Sequence, residues 1–173
     1  MAFFVAVEVL FFAGMLSAYL VTRADTVWPP EGQPVLPVPS TVFNTILLFI
    51  SGYLLFKAGK LKNTDSGKTG TFAKTFVAAM VFGVLFLVLQ GREWVDLIQF
   101  GLTLQSSLYG SSFYVIVGCH GLHALSALIF LGFLLAKVLN RQELLDEHFA
   151  AAQLFWYFVV GIWPIIFYLL YIL

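Results

Sequence analysis

Three side chains able to hold or pass a proton lie in stretches otherwise too apolar for them. Glu8 falls within Phe3-Phe4-Val5-Ala6-Val7-Glu8-Val9-Leu10-Phe11-Phe12, and His120 and His123 fall within Gly118-Cys119-His120-Gly121-Leu122-His123. An ionised carboxylate in such a place costs about 2.5–3.5 kcal/mol on insertion scales. Residues 1–22 include eleven Phe, Val or Leu, each favourable by about 0.3–0.6 kcal/mol. The segment therefore inserts despite Glu8, and something must then compensate the acid. Its structural reading is a glutamic acid bonded to a neighbouring helix. Its functional reading is a proton-linked or lipid-linked role.

His120 and His123, at i and i+3, share one side of a helix with Gly118 and Gly121 beside them. Two imidazoles so spaced, with the Cys119 thiol, are chemically able to share a metal. No second cluster of His or Cys supports them, however, and the remaining histidine, His148, is expected in an inner loop. The expected role is interhelical hydrogen bonding, with Glu8, the Ser111/Ser112 pair or Gln90 as partners, and no metal. Counting rise from the helix ends puts Glu8 and His123 within about one to two turns of the same depth. That leaves a link open, either direct or through water. A second polar group is Gln90, Arg92 and Glu93, read as an outer cap with an Arg92–Glu93 ion pair, or as a site for a partner subunit or a lipid headgroup. No phosphate-binding loop, Ser/His/Asp arrangement or other self-contained catalytic site accompanies these residues.

The elements that must position them are membrane helices. Hydrophobic residues make up 61% of the chain and charged ones 10%, where a soluble domain carries about 25% charged. Apolar runs at about 1–22, 41–58, 72–91, 109–136 and 151–173 predict an all-α integral membrane protein, one domain of five transmembrane helices over residues 1–173. The run from Tyr109 to Ala136 holds both imidazoles and is expected at the centre, its glycines allowing close approach of a neighbour. The first run lacks the basic start and cleavage signal of a signal peptide and reads as a span. Net charge is zero, so no nucleic-acid partner is implied.

Lys57, Lys60, Lys62, Lys68, Lys74, Lys137 and Arg141 fall on one side of the predicted bundle, and Arg23 and Arg92 on the other. Seven against two places the N-terminus in the cytoplasm and the C-terminus outside. Arg23 to Ser40, with Trp28-Pro29-Pro30 and three further prolines, predicts a stiff non-helical loop. Lys57 to Thr71 predicts a solvated turn, Trp94 to Ser107 a surface segment, and Gln142 to His148 an acidic approach to the last helix. Pro164 is expected to bend that helix.

Taken in order, these motifs resemble subunit III of the haem–copper oxidases of the cytochrome c oxidase type. Glu8-Val9-Leu10-Phe11-Phe12 with Ser17-Ala18-Tyr19 is similar to the family's glutamate-bearing helix. Trp28-Pro29-Pro30, Asn44-Thr45, Ser51-Gly52 and Leu89-Gln90 with Glu93-Trp94 follow in family order. Tyr109-Gly110-Ser111-Ser112-Phe113 and Gly118 with His120-Gly121-Leu122-His123 is the most specific match. One departure is Trp156-Tyr157-Phe158-Val159-Val160, where the family usually shows Trp-His-Phe-Val-Asp.

The resemblance implies an accessory subunit of an aerobic terminal oxidase in an energy-transducing membrane, such as a bacterial plasma membrane. It implies no cofactor in this chain, haem and copper in partner subunits, subunit I as the main contact, and bound phospholipid. It also implies support of assembly and of sustained proton uptake, and a buried carboxyl at Glu8 reactive toward carbodiimide. Family forms often have seven helices, of which this chain corresponds to the last five. Quinol oxidase and nitric oxide reductase relatives stay open as alternatives. An independent transporter would need an inverted repeat or broken helices along a water path, and the sequence shows neither.

Overall fold

A backbone amide in hydrocarbon has no water to bond, so an apolar segment must satisfy its own amides, and the helix is the form that does so. The computed structural model describes residues 1–24, 30, 32–34, 36–64 and 70–173, with 63 and 64 by backbone alone. It contains helices α1 (Ala2–Ala24), α2 (Val38–Thr64), α3 (Gly70–Gln99), α4 (Leu108–Leu139) and α5 (Asp146–Phe167). All five are long and apolar enough to cross a membrane, and the described residues contain no strand. The protein is an all-α integral membrane protein.

Several helices extend past the apolar runs, and the connections shrink accordingly. Lys57 to Thr64 belongs to α2 and not to a solvated turn, and Trp94 to Gln99 continues α3 instead of lying along the surface. Asp146 to His148 forms the first turn of α5, where two acidic side chains suit the positive end of the helix dipole. Charged side chains end an apolar pattern without ending a helix, because long stems let charges reach water while the backbone keeps its bonds. Trp28, Pro29 and residues 65–69 lie outside the described residues.

The helix ends that do stop have local causes. Ser107 caps α4, its hydroxyl accepting the Gly110 amide at 3.0 Å. After Leu139 the chain closes with Gln142 N–H to the Lys137 carbonyl at 2.9 Å and Arg141 N–H to Val138 at 3.1 Å, the paired bonds of a Schellman ending. Arg141 occupies the left-handed position, φ 56°, at a cost of about 1–2 kcal/mol relative to glycine. In α5 the helix runs through Pro164. It shifts a few residues later to a π-helical turn, Tyr168–Ile172, with Leu173 N–H on the Tyr168 carbonyl at 2.9 Å. The amide that Pro164 lacks would have bonded the Val160 carbonyl, and the change of helix type comes one turn later.

Between helices, small residues and short polar bonds do the joining, since lipid supplies no hydrophobic drive for association. Ser51 of α2 donates to the Ala79 carbonyl of α3 at 2.7 Å. Trp163 of α5 donates its indole N–H to Thr45 of α2 at 2.9 Å. Lys62 of α2 pairs with Asp146 of α5. A Cβ on Gly83 would meet Leu128, Trp156 and Ser51, from three different helices, at 2.8–3.2 Å. In α4, Gly121 lies under the Trp94 indole, where a Cβ would stand 2.7 Å away, whereas Gly118 has no neighbour within 4 Å. Of the two glycines beside the imidazoles, one admits a neighbouring side chain and the other faces outward.

Gly110 separates these cases sharply. A Cβ there would lie 2.3 Å from the Thr103 carbonyl oxygen, against backbone. Gly110→Ala is expected to destabilise the folded chain by about 1–3 kcal/mol. Gly118→Ala should stay within about 0.5 kcal/mol of the unmodified chain. Unfolding midpoints in mixed micelles compare the two directly.

Candidate functional site

Glu8 stands in the second turn of α1 and His123 near the middle of α4, and they meet: Glu8 Oε2 lies 2.9 Å from His123 Nε2. Both side chains are mostly buried, at 17% and 18% exposure. Phe12 packs edge-on against the imidazole with centroids 5.3 Å apart, and Phe155 and Phe158 close in at 6.2 and 6.0 Å. The link is direct and needs no water.

The second ring nitrogen decides the chemistry. His123 Nδ1 lies 2.7 Å from the Cys119 carbonyl oxygen, and a carbonyl only accepts, so Nδ1 carries a hydrogen. The contact at Nε2 then holds one proton between two bases. Either a carboxylic acid donates to a neutral imidazole, or a carboxylate accepts from an imidazolium. The pair is electrically neutral in both arrangements, which avoids the cost of a net charge at this depth. The i−4 carbonyl thus fixes the ring's orientation and tautomer, as a second partner does for functional histidines generally.

His120 takes a different course. It is 1% exposed and stacks on Trp163 with centroids 4.8 Å apart and 30° between planes. Phe12 and Phe86 stand edge-on at 6.5 and 6.3 Å. Neither ring nitrogen has a hydrogen-bond partner, so the expected interhelical bond is not made at this residue. The reason is angular. A spacing of three residues turns His120 about 60° from His123, off the line to Glu8 and into the aromatic wall of Phe12, Phe86 and Trp163. Among the described residues no group of three or more His, Cys, Asp or Glu is placed to hold a metal.

The outer group also divides. Glu93 and Gln90 point inward, at 6% and 3% exposure. The Thr41 hydroxyl donates to Glu93 Oε1 at 2.6 Å and Ser40 reaches Oε2 at 3.4 Å. Gln90 Nε2 approaches the Tyr171 hydroxyl at 3.4 Å. Arg92 faces outward, and the ion pairs among the described residues are Lys62–Asp146 and His123–Glu8. The expected Arg92–Glu93 pair is therefore absent, because adjacent helical residues do not face each other. Thr41 and Ser40, which supply the bonds to Glu93, were not singled out by the sequence. Their signal was only a pair of hydroxyls at the start of an apolar run.

The family model for cytochrome c oxidase subunit III matches residues 1–173. The chain belongs to the cytochrome c oxidase subunit III family. A cytochrome c oxidase subunit 3 from Synechocystis sp. is 34% identical over 98% of this chain and 72% of its own length. That of Corynebacterium diphtheriae is 33% identical over 92% of this chain and 80% of its own. The Thermostichus vulcanus protein of the same name is 33% identical, covering 98% and 84%. Membership makes the chain an accessory subunit of a haem–copper oxidase.

Within this family the Tyr157 and Val160 departures have a visible local arrangement. Gln153 Nε2 donates to the Tyr157 hydroxyl and to the Leu55 carbonyl, both at 3.0 Å. Val160 packs on Gly52, where a Cβ would lie 3.2 Å from its methyl. The Tyr157 contact thus stays within α5, with Gln153 carrying it on to α2, and the Val160 contact with α2 is apolar.

The two imidazoles should respond oppositely to the same change. His120→Phe removes unpartnered buried nitrogens from an aromatic stack and is expected to leave stability within about 1 kcal/mol of the starting value, or raise it. His123→Phe strands the Glu8 carboxyl and should cost about 2–4 kcal/mol. Denaturation of the two variants side by side provides the check.

Proposed function

We propose that this chain docks on the haem-bearing catalytic subunit of a terminal oxidase and supports its assembly, lipid environment and sustained proton uptake. The observation that carries the reading is the proton held between Glu8 and His123 inside a bundle that is neutral there. A carboxyl and an imidazole so coupled can exchange one proton without either leaving net charge in the membrane. Redox chemistry belongs to partner subunits in this reading, with haem and copper held there and none in this chain. Subunit I is the main contact. The many apolar side chains facing outward from the helices, among them Phe3, Leu10, Val88 and Ile129, suit a surface shared by lipid and partner.

The orientation follows from charge. Seven Lys and Arg against two support a cytoplasmic N-terminus and an outer C-terminus. Gln90, Arg92 and Glu93 then lie at the outer end, and Lys62 and Asp146 at the cytoplasmic end.

Affinity purification of this chain from its native membrane in mild detergent is expected to bring haem-containing, oxygen-consuming protein with it. Recovery free of haem protein would contradict the proposal. Glu8→Gln keeps a hydrogen bond to His123 and so should assemble normally. It should also lose carbodiimide labelling at this position and shorten the active lifetime of the complex during continuous turnover. An unchanged lifetime would remove the proton-linked role from Glu8.

A further inference from the structure

A cleft of ≈ 430 Å³ opens between the start of α2 and the end of α3, within the range of about 300–1,000 Å³ usual for small-molecule sites. Its floor includes Asn44 and Glu93, and its rim includes Arg92, Asp96, Phe43 and Phe100. Asn44 is 3% exposed, yet no described group bonds its amide, whereas Glu93 is held in place by Thr41 and Ser40. The exposure its amide keeps is toward the cleft it lines, so its hydrogens are open to whatever enters there. Arg92 and Asp96 stand one turn apart on α3 and form no ion pair with each other. Both charges therefore remain available to a group in the cleft.

From this juxtaposition we infer that the α2–α3 cleft binds a zwitterionic, amine-bearing phospholipid by its headgroup. Arg92 and the Asn44 amide hydrogens only donate, and suit the phosphate. Asp96, with Glu93 behind it, only accepts, and suits the ammonium. A quaternary amine has no hydrogen to give these carboxylates. An anionic lipid brings its charge toward two carboxylates with one arginine to offset them. Phe43 and Phe100, at 57% and 74% exposure, flank the opening where the glycerol and upper chains would lie. The cleft sits at a helix end, the level at which headgroups are found. This deepens the lipid-binding part of the proposed function and is independent of which oxidase subunits the chain joins.

The test is lipid retention by the 173-residue chain, measured by native mass spectrometry from micelles doped with dioleoyl phosphatidylethanolamine or dioleoyl phosphatidylglycerol. The chain should retain one phosphatidylethanolamine at least about fivefold over phosphatidylglycerol. Arg92→Gln should weaken that retention by about fivefold. Asp96→Asn should weaken phosphatidylethanolamine and strengthen phosphatidylglycerol, narrowing the preference. Both residues face outward, so folding is preserved. Asn44→Leu should lower retention with an unchanged unfolding midpoint. Glycerophosphoethanolamine, the headgroup without chains, should compete at least about tenfold more weakly. Equal retention of the two lipids, or retention unmoved by Arg92→Gln and Asp96→Asn, overturns the assignment. General lipid retention that survives without selectivity would leave the broader lipid-binding reading standing while removing this site.

Discussion

A single hydrogen bond, Glu8 to His123 at 2.9 Å, governs how the first helix meets the other four. In water a greasy helix is driven onto its neighbours by the apolar surface it buries. In a bilayer the neighbours are no more apolar than lipid, and that drive is gone. Helix α1 buries only Phe12, Leu16 and Tyr19, so packing alone specifies little about its depth or rotation. The acid–imidazole bond fixes both, because Glu8 has one favourable place to go. Further along, the Tyr19 hydroxyl reaches the Leu169 carbonyl at 3.2 Å and Arg23 reaches that of Leu173. The three polar contacts follow one stripe of α1, from the second turn to the last.

The remaining four helices rely more on shape. Gly83, Gly121 and Gly52 each receive a large side chain from another helix, and Trp163 is locked by Thr45 on one side and His120 on the other. Thr45 in turn donates to the Thr41 carbonyl at 2.7 Å, and Thr41 bonds Glu93. A short polar chain therefore runs from the buried indole to the outer carboxyl. The chain gives α2 its rotation, since a helix with the same apolar content all round would have no preferred face.

How far the sequence reveals this depends on the physics of each feature. Depth is legible: the cost of a carboxylate and two imidazoles in apolar runs marks Glu8, His120 and His123, and a count of rise brings Glu8 level with His123. Angle is less so. The i, i+3 spacing groups the two histidines, yet a turn of about 60° sends one to α1 and the other into Trp163 and Phe86. The same blindness produced the Arg92–Glu93 pair, plausible by adjacency and excluded by helical geometry. Helix ends were misjudged wherever hydropathy stood in for backbone bonding, as at Lys57–Thr64 and Trp94–Gln99. Thr41 shows only as a hydroxyl at the start of an apolar run and Asn44 only within a resemblance, for their importance arises when α3 brings Glu93 to the same place.

The central claim, that Glu8 and His123 act as one neutral unit holding α1 to the bundle, is tested most directly by a double-mutant cycle. Unfolding free energies would be measured for Glu8→Leu, His123→Leu and the combination. The account predicts a coupling of about 1–3 kcal/mol, the double variant losing much less than the two single changes added together. Additivity to within about 0.3–0.5 kcal/mol would show two independent side chains and contradict it.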